Sequence, residues 1–208
     1  MGRERSSADF APGASAAPVA NNPPMPSRFP APGARRAAPA GALALTAFLL
    51  QACSPTLDWR EVRPEGSGAQ AMFPCKPSSM AREVMLAGAQ VRLSLHACRA
   101  GDMTWAMAWA DVADPARVGP ALDELRRAAA SNVGATESRS VPLQVPGATP
   151  SPNSARLVLR GRMPDGREAF EQVAVFSLGT RVFQATAVAE REPGEALEPF
   201  FAGLRADG

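Results

Sequence analysis

Gln90-Val91-Arg92-Leu93-Ser94-Leu95-His96-Ala97-Cys98-Arg99, followed across Gly101-Asp102 by Met103-Thr104-Trp105-Ala106-Met107-Ala108-Trp109-Ala110-Asp111-Val112, decides the fold class. Side chains along a strand point alternately to its two faces. Val91, Leu93, Leu95 and Ala97 therefore share one face, with Arg92, Ser94, His96 and Cys98 on the other. In the second run Met103, Trp105, Met107 and Trp109 alternate with Thr104, Ala106, Ala108 and Ala110, one face large and the other small enough for a helix to approach. Period-two alternation of this length predicts two antiparallel strands.

Working outward, Gln70 to Cys75 reads as a short strand, Arg82 to Leu86 as a second, and Ala87-Gly88-Ala89 as the turn into Gln90. Asp114-Pro115 marks a helix start, an Asp cap with Pro at the first position, where no donor is missed. That helix runs to about Ser131 with Val118, Leu122, Leu125 and Ala129 on one side, and Asn132 and Gly134 stop it. Glu137 to Val145 is a candidate strand and Pro146 to Asn153 a loop. Ala155 to Met163 and Glu168 to Leu178 form a hairpin across Pro164-Asp165-Gly166, and Gly179-Thr180 turns into a last strand, Arg181 to Ala189. A second helix begins near Glu192-Pro193, with Leu197, Phe200, Phe201 and Leu204 on one face. The expectation is an α+β fold, mostly antiparallel sheet with two packed helices.

The amino-terminal quarter carries an address. Arg35-Arg36, the uncharged segment Ala37 to Leu50, and then Gln51-Ala52-Cys53 have the layout of a bacterial lipoprotein signal peptide, in which Cys53 is lipidated and opens the mature chain. The segment is shorter than the roughly 20 apolar residues a spanning helix needs. Gln51 departs from the smaller residue usual there, and a buried alanine-rich helix or an uncleaved anchor are the alternatives. Residues 1–34 are rich in Ala, Pro, Gly and Ser, too poor in apolar surface to fold, and Met25 offers a second translation start. The expected organisation is a leader over 1–52, a tether over 53–69 and a single domain over 70–208.

Removing the leader changes the charge. Arg3, Arg5, Arg28, Arg35 and Arg36 precede Cys53 against only Glu4 and Asp9, so a chain of 22 basic and 20 acidic residues leaves a mature part with one net negative charge. Its arginines are interspersed with acids, which argues against nucleic acid as a partner. With Cys53 taking lipid, Cys75 and Cys98 remain in an oxidising compartment, outside any Cys-x-x-Cys motif, and are expected to form a disulfide.

Chemistry-bearing residues are few. His96 is the only histidine, which excludes a multi-histidine metal site, and it could serve a hydrolase only in a cleft where it meets an acid, such as Asp111 or Asp114, and a serine. No Gly-x-Ser-x-Gly elbow and no phosphate-binding glycine loop is present. No catalytic residue, cofactor or metal is expected. Trp105, Met107 and Trp109 could line an apolar groove, although core packing is the account these residues favour.

Met72-Phe73-Pro74-Cys75-Lys76-Pro77, the Asp114 to Ser131 helix after Trp105 to Val112, the Pro164-Asp165-Gly166 hairpin, Gly179-Thr180-Arg181-Val182-Phe183-Gln184 and Phe200-Phe201-Ala202-Gly203-Leu204-Arg205 together resemble the PsbP-like α/β sandwich. The chain also resembles small bacterial envelope lipoproteins on that plan, over about residues 70–206. The resemblance implies an antiparallel sheet with helices on its faces (an αβα sandwich) and a binding or assembly role, and it transfers no active-site residue. Ser54 after the cysteine favours the outer membrane in such lipoproteins. The functional expectation is a non-catalytic module held by the lipid on Cys53 at the periplasmic face of the outer membrane, contacting an envelope protein. A carrier or sensor of a small apolar ligand is the second reading and a hydrolase the third.

Overall fold

The two alternating runs pair with each other in a seven-stranded antiparallel sheet. The computed structural model describes residues 57–163 and 165–207; the expected leader, Cys53 and Ser54 lie outside them. The elements in chain order are β1 (Arg60–Val62), β2 (Ala69–Phe73), β3 (Ser78–Leu86), β4 (Ala89–Ala100), β5 (Met103–Asp111), α1 (Pro115–Asn132), β6 (Glu137–Val141), β7 (Ala155–Arg162), β8 (Glu168–Leu178), β9 (Arg181–Ala189), a 3-10 turn Gly194–Leu197, α2 (Glu198–Ala202) and β10 (Arg205–Ala206). The large sheet has the order β3-β4-β5-β9-β8-β7-β6, and β1-β2-β10 form a small second sheet. The fold is α+β, as expected.

Two-residue turns set the register. Gly101-Asp102 aligns Ala100 with Met103, which puts Cys98 opposite Trp105, His96 opposite Met107 and Ser94 opposite Trp109. Opposed residues in an antiparallel pair share a face. The polar side of β4 therefore lies on the same face as the large side chains of β5.

That large face carries one core and the opposite face another. Trp105, Met107, Phe176 and Phe183 from the sheet pack against Phe73, Phe200, Phe201 and Leu204 of the small sheet and α2. Trp105 meets Trp59 and Phe200 edge-on at centroid distances of 5.7 and 5.3 Å, while Phe176 and Phe183 stack at 4.8 Å. On the other face Val173, Val175, Val182, Leu159 and Ala110 pack against Ala121, Leu122, Leu125 and Ala129 of α1. The helix begins as its sequence dictates, the Asp114 carboxylate accepting from the Ala116 N–H at 2.9 Å. It ends at Asn132, and the chain turns away at Gly134, whose φ of +49° suits glycine best.

Cys75 and Cys98 are disulfide-bonded, with Cα atoms 6.1 Å apart. The bond ties the segment just after β2 to β4, and so the small sheet to the large one. With a sequence separation of 23 between the cysteines, loop closure contributes about 3 kcal/mol.

Four segments differ from expectation. Residues 57–69 are built into the fold: β1 pairs with β2 from Arg60↔Phe73 to Val62↔Ala71, and Ser67 is fully buried, donating to the Pro64 carbonyl at 2.7 Å. Strand β3 starts at Ser78, four residues early, because the long β4 offers partners as far as Ala97 and pairing overrides the weak propensity of Ser78-Ser79. Strand β6 stops at Val141 because Pro142 has no N–H to give a ladder. The second helix shrinks to five residues after a 3-10 turn, since Gly194 sits at φ +57° and Pro199 cannot donate within it.

Candidate functional site

The β3–β4 end of the large sheet extends beyond the small sheet and α2. The small sheet and α2 lie over β5, β9 and β8 on the large face, leaving β3 and β4 beside them as the floor of an open trough of about 610 Å³. Ser79, Ala81, Arg92, Ser94, His96, Trp109 and Asp111 line it from the sheet, with Met80 and Glu65 at its margins. All the sheet residues but Met80 fall on one face by register. Met80, like Met85 on the same edge strand, is about two-thirds exposed (66% and 64%).

The loop between β1 and β2 makes the far wall. Ser67, besides its bond to Pro64, accepts from the Ala69 N–H at 3.0 Å, fixing a turn in which Gly66 takes φ +73°. Gly66 lies over Trp109: a Cβ there would stand 3.6 Å from the indole Cη2. Arg181 donates to the Gly66 carbonyl at 3.3 Å, and the turn presents Glu65, exposed, at the trough.

His96 meets a serine but no acid. Ser79 is its direct cross-strand neighbour, whereas Asp111 lies four residues along β5 from Met107, the residue opposite His96, a rise of about 13 Å. The Asp111 carboxylate accepts from the Ala113 N–H at 2.8 Å, and Asp114 is engaged as the helix cap. A His–acid–Ser relay needs hydrogen-bond contact between successive members, and this register does not supply it. Partial burial lowers the pKa of His96 below its usual value, favouring the neutral ring. Among the described residues no cluster of His, Cys, Asp or Glu is placed to hold a metal ion.

Of the three residues considered for an apolar groove, the structure separates one from the others. Trp105 and Met107 are fully buried in the core, and Trp109, half-buried, alone faces the trough. Glu65, Ser79 and Arg92 join it there without having been singled out from the sequence. The turn Gly101-Asp102 was the signal available for Arg92, since it fixes which side of β4 faces Trp109. Nothing in the sequence places Glu65.

Among the described residues none of Glu65, Arg92 and Asp111 has an ion-pair partner. The trough thus offers two acceptor-only carboxylates, one donor-only guanidinium, two serine hydroxyls, an imidazole and an indole on one accessible surface. Among the described residues no helix is long and apolar enough to cross a membrane. No family model matches the chain, and no curated protein matches it in sequence.

Proposed function

We propose that the chain is a lipid-anchored, non-catalytic binding or assembly module of the bacterial cell envelope, held by Cys53 at the periplasmic face of the outer membrane. The observation that carries the binding role is the open trough, where Glu65, Arg92 and Asp111 surround a half-buried tryptophan without an ion-pair partner among the described residues. Unpaired polar groups beside an aromatic surface are what a recognition site needs and a purely structural surface does not. The disulfide agrees with an oxidising compartment, and the sequence of residues 35–53 supplies the anchor. Several acyl chains on one cysteine hold a protein at a membrane more firmly than a single chain. An envelope protein is the expected partner class, and PsbP-like domains are the family this reading draws on.

Carriage of a small apolar ligand is less well supported, because Trp105 and Met107 are committed to the core and the trough is half polar in its lining. Intact-mass measurement of the chain from its native membrane tests the anchor. The expected product begins at Cys53 and carries acyl mass; an unacylated product, or one retaining Gln51-Ala52, contradicts it.

A further inference from the structure

Resting on the reading of the trough as a binding surface, we infer that its ligand is an uncharged or N-acetylated oligosaccharide, one sugar ring lying against Trp109 and its hydroxyls shared among Glu65, Asp111 and Arg92. Three features of the trough converge on this chemistry.

The first is the mixture of groups. A carboxylate only accepts and a guanidinium only donates, whereas a sugar hydroxyl does both and can satisfy either. A sugar ring also presents a flat C–H face, which suits an indole whose one edge is already occupied by Gly66. The second is charge. Glu65 and Asp111 face a single guanidinium, Arg92, with His96 held toward its neutral form. A polyanion would meet two carboxylates, whereas a polycation would cover the trough and leave Arg92 without an acceptor.

The third is the floor. It is made of side chains from β3, β4 and β5, and from Ser94 and Trp109 onward β4 and β5 are paired on both sides, so only the Arg92–Asp111 end has backbone free between these two strands. A peptide binding by strand addition would pair with the free edge of β3, beside the trough and not in it. The volume falls within the range of about 300–1,000 Å³ typical of ligand sites, and the trough is open to solvent.

Calorimetric titration of the full-length chain in detergent tests this directly, using N-acetylglucosamine tetramer, cellotetraose and maltotetraose, with tetragalacturonate and an oligolysine as charged controls. At least one of the three neutral tetrasaccharides is expected to bind saturably and to change tryptophan fluorescence, while the charged controls do not. Glu65→Gln should weaken that binding about tenfold, the effect of losing one hydrogen bond to a charged group. Ala81→Arg, which fills the trough from the exposed strand β3, should weaken it at least as much, and Arg127→Gln on the exposed side of α1 should leave it unchanged. Glu65 and Ala81 are both exposed, so neither change threatens the core.

Failure of all three neutral tetrasaccharides overturns the inference, as does binding indifferent to both trough variants. The module reading fails separately. A polypeptide crosslinked from position 81 while every saccharide fails would remove the saccharide and leave the binding surface, whereas an unacylated chain would remove the anchor whatever the titration shows.

Discussion

Trp105→Ala should lower unfolding stability by about 3–5 kcal/mol, the loss seen when a large aromatic is deleted from a packed core. Trp105 is fully buried and bridges two layers, meeting Trp59 of the segment before β1 and Phe200 of α2 from its place on β5. Deleting it opens a cavity at the point where the small sheet and α2 sit on the large sheet. The disulfide between Cys75 and Cys98, directly beside it in register, would limit how far the layers can separate. Urea unfolding followed by circular dichroism measures the change. Trp105→Phe should cost far less, because the ring is largely replaced and the buried indole N–H, which has no acceptor, is removed. Trp109→Ala, at a half-buried position, should cost roughly half as much as Trp105→Ala. Equal losses at the two tryptophans would mean that Trp109 is a core residue and the trough has no aromatic wall.

Stability should fall as pH rises from about 4.5 to above 7, and Glu171→Gln should abolish most of that fall. Glu171 is buried on the helix-side face of β8, opposite Leu159 of β7 and Val188 of β9, and burial pushes its carboxyl from 4.5 up to about 7. Below pH 4.5 the group is neutral whether the chain is folded or not, and the fold loses nothing. Between the two values the unfolded chain releases its proton and the folded chain keeps it, so stability declines with pH until the folded carboxyl also ionises. A shift of this size corresponds to about 3 kcal/mol at most, and thermal unfolding of both proteins at pH 4, 6 and 8 reads it. A wild-type midpoint that rises across this range, or a Glu171→Gln profile parallel to the wild type, would contradict the assignment. Ala169 and Val173, on either side of Glu171 along the same face, belong to the core under α1, so the cost of this carboxylate falls on the helix packing.

Much of this architecture is legible in the sequence because its signals are local. The alternation in β4 and β5, the Asp114-Pro115 cap and the turns at Ala87-Gly88, Gly101-Asp102 and Gly179-Thr180 depend on residues adjacent in the chain, and each corresponds to an observed element. Strands β1 and β10, of three and two residues, carry no period to detect; they exist because β2 has two edges to satisfy, one met by Arg60–Val62 and the other by Arg205–Ala206. The limits of coverage are equally hidden. The alternating pattern of β5 identifies a face of small residues, but not that α1 would sit over β8 and β9 and leave Ala106 and Ala108 half-buried.

The site follows the same division. His96, Asp111 and Trp109 draw notice as residue types, and the two-residue turn at Gly101-Asp102 determines that the polar side of β4 faces Trp109. Glu65 reaches the trough because Ser67 and Arg181 fix the turn around Gly66, and the Arg181 contact, 115 residues away in the chain, is one that no local pattern encodes. The same geometry separates His96 from Asp111 along the strand direction, which is why residues suggestive of catalysis in the sequence share one trough without forming a relay in the fold.

Photocrosslinking in intact cells tests that surface most directly. A benzophenone amino acid placed at position 81, on the trough side of β3, should form an ultraviolet-dependent adduct with an envelope component, and the same group at position 127, on the exposed side of α1, should not. Adducts from position 127 with none from position 81 would contradict the account.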